Sequence, residues 1–283
     1  METSNFKCHF CDECDGFGCI GEMPGMGGPH QSRNFIHNCD AWKNIAEGSF
    51  KNNQAVLRLA PMTGAVENAG YADEKSFYFD MISRCAHEGI KVTIGDGTPD
   101  TKLLYGIEAV RASGIKASVF VKPYPDEKIL ERFEWAHDIA ELGGIDIDSY
   151  SIITMRNLVH LEKKNSDNLL KIKDVLSKKG IPFAIKGIFL EEDIELVQKV
   201  KPDVVYVSNH GGRVDTREGS TADFLARHYK TLLSNAGELW VDGGIRKLSD
   251  FNKAASYGAS SVLVGRPFIT ALCSGKPFSE ILR

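Results

Sequence analysis

The chain has 283 residues, of which 42% are apolar and 25% charged, too apolar for disorder and too poor in Gly and Pro for a fibrous repeat. A net charge of −4 gives no electrostatic footprint for nucleic acid or an anionic membrane, and no apolar run approaches the roughly 20 residues that span a bilayer. The N-terminus METSNFKCHF lacks the basic-then-apolar order of a secretory signal, so the expectation is a soluble, cytoplasmic protein.

Residues 1–50 form a Cys- and Gly-rich segment and residues 51–283 a separate unit. Cys8, Cys11, Cys14 and Cys19 follow the spacing C-x2-C-x2-C-x4-C, while Cys39, Cys85 and Cys273 are scattered. An odd count without a signal argues against a secreted disulfide framework. Four thiolates on one short loop can converge on a zinc ion or an iron–sulfur cluster. The alternative is a set of reduced or reversibly paired thiols. The stretch GEMPGMGGPHQSRN reads as irregular structure.

From residue 55 a rhythm begins. Short apolar runs occur at Ala55–Ala60, Lys91–Ile94, Ala117–Val121, Gly144–Ile147, Phe183–Ile185, Val204–Val207, Leu239–Val241 and Ser261–Val264. Most are closed by Gly, Pro, Asp or Asn, as buried parallel strands are. Between them lie stretches of helical periodicity. The clearest runs from Asp126, placed as its cap, to Leu142, with Ile129, Leu130, Phe133, Ala136, Ile139 and Ala140 on one stripe. Another carries Leu169, Ile172 and Leu176 and ends at Gly180 before Pro182. Ser249 is placed to cap a helix carrying Phe251 and Ala254. Eight β–α alternations with short loops predict a (β/α)8 barrel rather than an open sheet.

In such a barrel chemistry sits just after the strands. Those positions hold Pro61, Met62 and Thr63; Lys122 and Tyr124; Asp146 and Asp148; Lys186; Ser208, His210 and Arg213; Asp242, Gly243, Gly244 and Arg246; and Gly265 with Arg266. One His, two Lys and three Arg on successive strand ends face one mouth. Gly243-Gly244 and Gly265 let backbone N–H groups approach an anion, and Arg246 and Arg266 add fork-shaped donors. Loops seven and eight are this architecture's usual phosphate site, so a phosphate-bearing ligand is expected.

IKGIFLEEDIELVQKVKPDVVYVSNHGGRVD and ELWVDGGIRKLSDFNKAASYGASSVLVGRPF resemble the C-terminal half of the FMN-dependent α-hydroxy acid oxidase and dehydrogenase family, with SNHGGR, DGGIR and GRP in order over residues 183–268. Leu59-Ala60-Pro61-Met62-Thr63 and Phe120–Tyr124 extend the resemblance upstream. It implies FMN and a small L-2-hydroxy acid of the lactate or glycolate type, oxidised at C2. His210 would be the base, Arg213 the carboxylate partner and Tyr124 a substrate hydrogen-bonder. Lys186 would sit by flavin N1 and O2, with Ser208, Pro61, Met62, Thr63, Lys122 and Asp146 also on the cofactor. Gly243, Gly244, Arg246, Gly265 and Arg266 would hold its phosphate, and Asp242 would orient His210 or Arg213 or hold the ribityl chain. The family also implies a homo-oligomer. The chain departs from the family in having Lys122 in place of Gln and in offering no arginine after the fourth strand until Arg156. Two alternatives stay open: a flavin electron carrier working through the N-terminal cysteines, and an FMN oxidoreductase of another substrate.

Overall fold

The structure, a computed structural model, describes residues 33–50, 54–66, 71–152, 158–214 and 216–282. Eight strands form one sheet: β1 (Val56–Leu59), β2 (Val92–Gly95), β3 (Ala117–Val121), β4 (Ala140–Asp146), β5 (Phe183–Ile188), β6 (Val204–Val207), β7 (Glu238–Val241) and β8 (Ser261–Val264). The pairings between named strands are parallel, in the order β1-β8-β7-β6-β5-β4-β3-β2. A parallel bridge from Arg58 to Lys91 brings β1 back toward β2, giving the expected (β/α)8 barrel, nearly closed. The helices are α1 (Arg33–Asn44), α2 (Glu74–His87), α3 (Thr101–Ala112), α4 (Asp126–Ala136), α5 (Ser166–Lys178), α6 (Glu191–Val200), α7 (Thr221–Leu233), α8 (Leu248–Ser256) and α9 (Arg266–Ser274). Among the described residues, none is long and apolar enough to cross a membrane.

Side chains alternate along a strand with period two, so every second residue enters the barrel. A middle layer of Ala60, Phe120, Leu142, Ala184, Tyr206, Trp240 and Leu263 fills it as one buried apolar cluster. Phe120 and Trp240 both meet Tyr206 edge-on. Below that layer Arg58 closes the N-terminal end: it pairs with Glu141 at 2.6 Å, donates to Ser261 at 3.0 Å and lies 4.4 Å from the Trp240 ring. Above it the same alternation delivers Lys122, Asp146, Lys186, Ser208 and Asp242 to the other end. The sequence thus sorts apolar residues to the middle and ionisable ones to the C-terminal mouth.

Three local expectations are corrected. The helix expected to Leu142 ends at Ala136, because Ala140 pairs with Ala117 and β4 takes Ala140 and Leu142 into the sheet. Backbone pairing with β3 overrides a stripe that fits either geometry. Asp126 is the first residue of α4, not its cap; Pro125 holds the cap position and the Asp126 carboxylate accepts from Lys164 at 2.7 Å. Ser249 lies inside α8, and the Asp250 carboxylate takes the N–H groups of Arg246 and Lys247 at 3.0 and 2.9 Å. The Gly180 stop after α5 is as expected, at φ +71°.

Gly144 faces the middle layer with no room for a methyl, since a Cβ there would lie 2.4 Å from the Phe120 ring. Gly144→Ala is expected to cost about 1–3 kcal/mol through overpacking, read as a lower urea midpoint at unchanged slope. An unchanged midpoint would refute the packing assigned to this layer.

Candidate active site

The parallel register of β4 and β5 sets Asp146 beside Lys186. Their side chains meet at 2.6 Å between Oδ1 and Nζ, and both are buried. A 3₁₀ turn follows β4 at Ile147–Ser151 and turns Asp148 back over the strand ends. Gly187 makes that possible: at φ +97°, a Cβ on it would lie 2.6 Å from the Asp148 Cβ. Asp148 Oδ1 is then 3.0 Å from His210 Nδ1 and 3.6 Å from Lys186 Nζ.

His210 sits in a second 3₁₀ turn, at φ +57°, a conformation most side chains avoid. Asn209 stabilises the turn by accepting from the Gly212 N–H at 2.9 Å, and the His210 N–H donates to Ser208 Oγ at 3.2 Å. With Nδ1 donating to Asp148, the imidazole keeps Nε2 for a ligand.

Burial alone would raise the Asp146 carboxyl, but Lys186 and then His210 hold it well below the usual carboxylate range. Asp148 goes the other way, pushed up to about 6 by burial and by the Asp146 charge. Asp146, Asp148 and Asp242 outweigh the burial of Lys186 and keep its ammonium charged. Burial lowers Arg213 to about 10 and raises Asp242.

One cavity collects most of the expected residues. Pro61, Met62 and Thr63 line one wall, Lys186, His210 and Arg213 the floor and far side, and Asp242, Gly243, Gly244, Arg246, Gly265 and Arg266 one end. Lys122, Asp146 and Ser208 sit just beneath it: Lys122 donates to Ser149 Oγ at 3.2 Å, and Ser149 donates to Asp146 Oδ2 at 2.8 Å. Tyr124 is not brought to this cavity. Its ring packs outward against α4, with Lys128 Nζ 4.3 Å and Arg132 Cζ 5.6 Å from its centroid. Cys8, Cys11, Cys14, Cys19 and Arg156 lie outside the described residues.

Helix α1 supplies what the sequence reading missed. Its side chains reach across the loops after β6 and β7: Asn34 donates to Val214 O and Arg217 O at 2.6 and 2.7 Å, Asn38 exchanges hydrogen bonds with Asn209, and Trp42 Nε1 donates to Gly243 O at 2.7 Å. Phe35 enters the cavity wall and covers Arg266, 4.2 Å from ring centroid to Cζ. The signal was present as Phe35, Cys39 and Trp42, an i, i+4, i+7 stripe of buried residues beside the Gly-rich stretch.

The residues around Lys122 include a second buried pair. Burial pushes Asp96 up to about 6 even though Arg132 lies 3.6 Å away. The folded chain therefore holds this proton more tightly than the unfolded one, whose carboxyl titrates near 3.8, and the group's contribution to stability falls as pH rises from about 4 to 6. Asp96→Asn is expected to remove that slope, shifting Tm at pH 7 upward relative to Tm at pH 4 when compared with the wild type. An unaltered difference would contradict it.

Residues 66–277 match the sequence pattern of the family described as FMN-dependent dehydrogenase. A 2-hydroxyacid oxidase of Dictyostelium discoideum is 39% identical over 95 residues, covering 34% of this chain and 24% of that protein. An L-lactate dehydrogenase (cytochrome) of Saccharomyces cerevisiae is 34% identical over 110 residues, covering 37% of this chain and 19% of its own. The matched stretch thus spans about a quarter or less of these relatives. A solved mandelate oxidase with benzoyl-formic acid superposes with a TM-score of 0.65 at 19% identity, covering 89% of this chain and 83% of that one, a likeness of fold.

At Gly244, with φ +78°, a Cβ would lie 2.0 Å from Asn38 O. Gly244→Ala is expected to lift α1 from the barrel, destabilising the protein by about 1–3 kcal/mol and speeding amide exchange over residues 33–44. Unchanged exchange there would contradict the packing.

Proposed function

This chain belongs to the FMN-dependent dehydrogenase family, and we propose that it oxidises a small L-2-hydroxy acid of the lactate or glycolate type to the 2-oxo acid with bound FMN. The observation that carries the reading is the convergence of His210, Arg213 and Lys186 on one cavity whose end is built from Gly243, Gly244, Arg246, Gly265 and Arg266. An isolated phosphate site would have no use for the first three.

The residues present fit FMN. Gly243 and Gly244 hold positive φ, so their backbone is open to an anion, and two guanidinium groups stand beside them. Asp242 lines the same cavity with Oδ1 buried and accepting no hydrogen bond, an acceptor suited to a ribityl hydroxyl. When bound, FMN supplies a two-electron acceptor for the hydrogen at C2 of the substrate. The phosphate would be held by Arg246, Arg266 and the glycine backbone, and the ring would lie toward Lys186 and the Pro61–Thr63 wall.

His210 is the group to take the hydroxyl proton, at Nε2. Its Nδ1 bond to Asp148 orients the ring, and the imidazolium that results is balanced by that carboxylate. Arg213 remains cationic at neutral pH despite its lowered value, and a desolvated guanidinium binds a carboxylate in fork geometry.

A second reading, FMN oxidoreduction of a different substrate, is favoured by one observation. Tyr124, which the family resemblance assigns to the substrate, is buried against α4 instead.

The test is an anaerobic absorbance spectrum of the FMN-loaded protein with L-lactate, glycolate and (S)-mandelate in turn. Bleaching of the flavin band by lactate or glycolate is expected. A band that persists with all three favours the second reading, and a protein that takes up no FMN overturns both. His210→Asn is expected to lower kcat about 10²–10⁴-fold while the flavin spectrum is retained. Turnover within tenfold of the wild type would remove His210 as the base.

A further inference from the structure

Asp146 answers more charge than His210 requires. The histidine has its own carboxylate in Asp148, at 3.0 Å, whereas Asp146 Oδ2 stands off at 3.6 Å. Asp146 instead places Oδ1 2.6 Å from Lys186 Nζ, and its Oδ2 accepts from Ser149, which in turn accepts from Lys122. One carboxylate on β4 thereby serves lysines on both neighbouring strands. Asp146, Asp148, Ser149, Lys122 and Lys186 are buried, so salt screens their fields little.

We propose that Asp146 sets the reduction potential of the bound flavin to a lower value by cancelling the charge of Lys186 at the cavity floor. This rests on the FMN reading above. Reduction of FMN adds two electrons and one proton and leaves the ring anionic. A lone buried ammonium beside the ring favours that anion. An ammonium with a carboxylate at 2.6 Å presents a dipole, whose field falls off faster than that of a single charge. Lys186 has two carboxylates within reach, Asp146 at 2.6 Å and Asp148 at 3.6 Å, so its charge does not face the cavity uncompensated. Asp146 stays ionised there, held down chiefly by Lys186. A flavin in such surroundings gives up its electrons more readily than one facing an uncompensated lysine. It suits onward transfer to an acceptor of low potential rather than storage of the reduced form.

The experiment is an equilibrium reductive titration of the FMN-loaded protein against a reference dye, comparing the wild type with Asp146→Asn, Asp146→Ser and Ser149→Ala. Either Asp146 substitution is expected to raise the reduced-to-oxidised ratio at a fixed poise at least tenfold, about 30 mV for a two-electron couple. Ser149→Ala keeps the Asp146–Lys186 pair and is expected to leave the ratio within threefold. A merely structural role for Asp146 would lower Tm without moving the potential. FMN uptake with an unchanged or lowered potential in the Asp146 variants overturns this proposal alone. A wild-type protein that binds no FMN overturns the FMN reading and this proposal with it.

Discussion

Three ionisable groups are taken out of water at the C-terminal mouth of the barrel with a half-buried histidine beside them, and each is tolerable there only because of the others. Lys186 lies between Asp146 and Asp148, and Asp148 holds His210. A buried charge without a partner costs several kcal/mol, so the set is kept or lost as a unit. Its geometry comes from the backbone. The β4–β5 register places the first pair, the 3₁₀ turn after β4 returns the second carboxylate, and the missing side chain of Gly187 leaves room for it. The strained His210 turn is then fastened by Asn209 and by a helix from the far end of the chain.

The two ends of the cavity use charge differently. Around Gly243, Gly244, Arg246 and Arg266 the donors are backbone amides and guanidinium groups, with no carboxylate among the described residues that line that end except Asp242. Such a surface suits a permanent dianion. Around Lys186 and His210, cation and anion alternate within 4 Å, so small changes in a ligand's charge are felt strongly. On the proposed FMN reading, the first end would take the phosphate and the second the reacting groups.

Much of the barrel was legible because its strands are short apolar runs closed by turn residues, and the observed strands overlap all eight expected ones. The inward alternation carried this further, since Lys122, Asp146, Lys186 and Asp242 continue the period of the apolar residues below them. Where the reading failed, two geometries shared one pattern. Ile139 and Ala140 extend the α4 stripe, yet Ala140 begins a strand, and only the partner strand decides. Tyr124 is two residues past Lys122 and keeps the inward phase in sequence, but it lies beyond the end of β3, where strand alternation no longer sets side-chain direction, and its ring packs against α4. Helix α1 was hidden because two polar residues share its buried face: Asn34 and Asn38 read as surface until the loops they satisfy are in view.

Helix α1 also fixes an order of events. The partners that hold it, from Asn209 through Gly243 to Lys253, are made about 170–210 residues later in the chain. Made before those partners, α1 has nothing to dock on until the later strands and their loops exist, and bringing such distant segments together is entropically slow. The wall that Phe35 adds over Arg266 therefore cannot close before segments about 170–210 residues further along have folded.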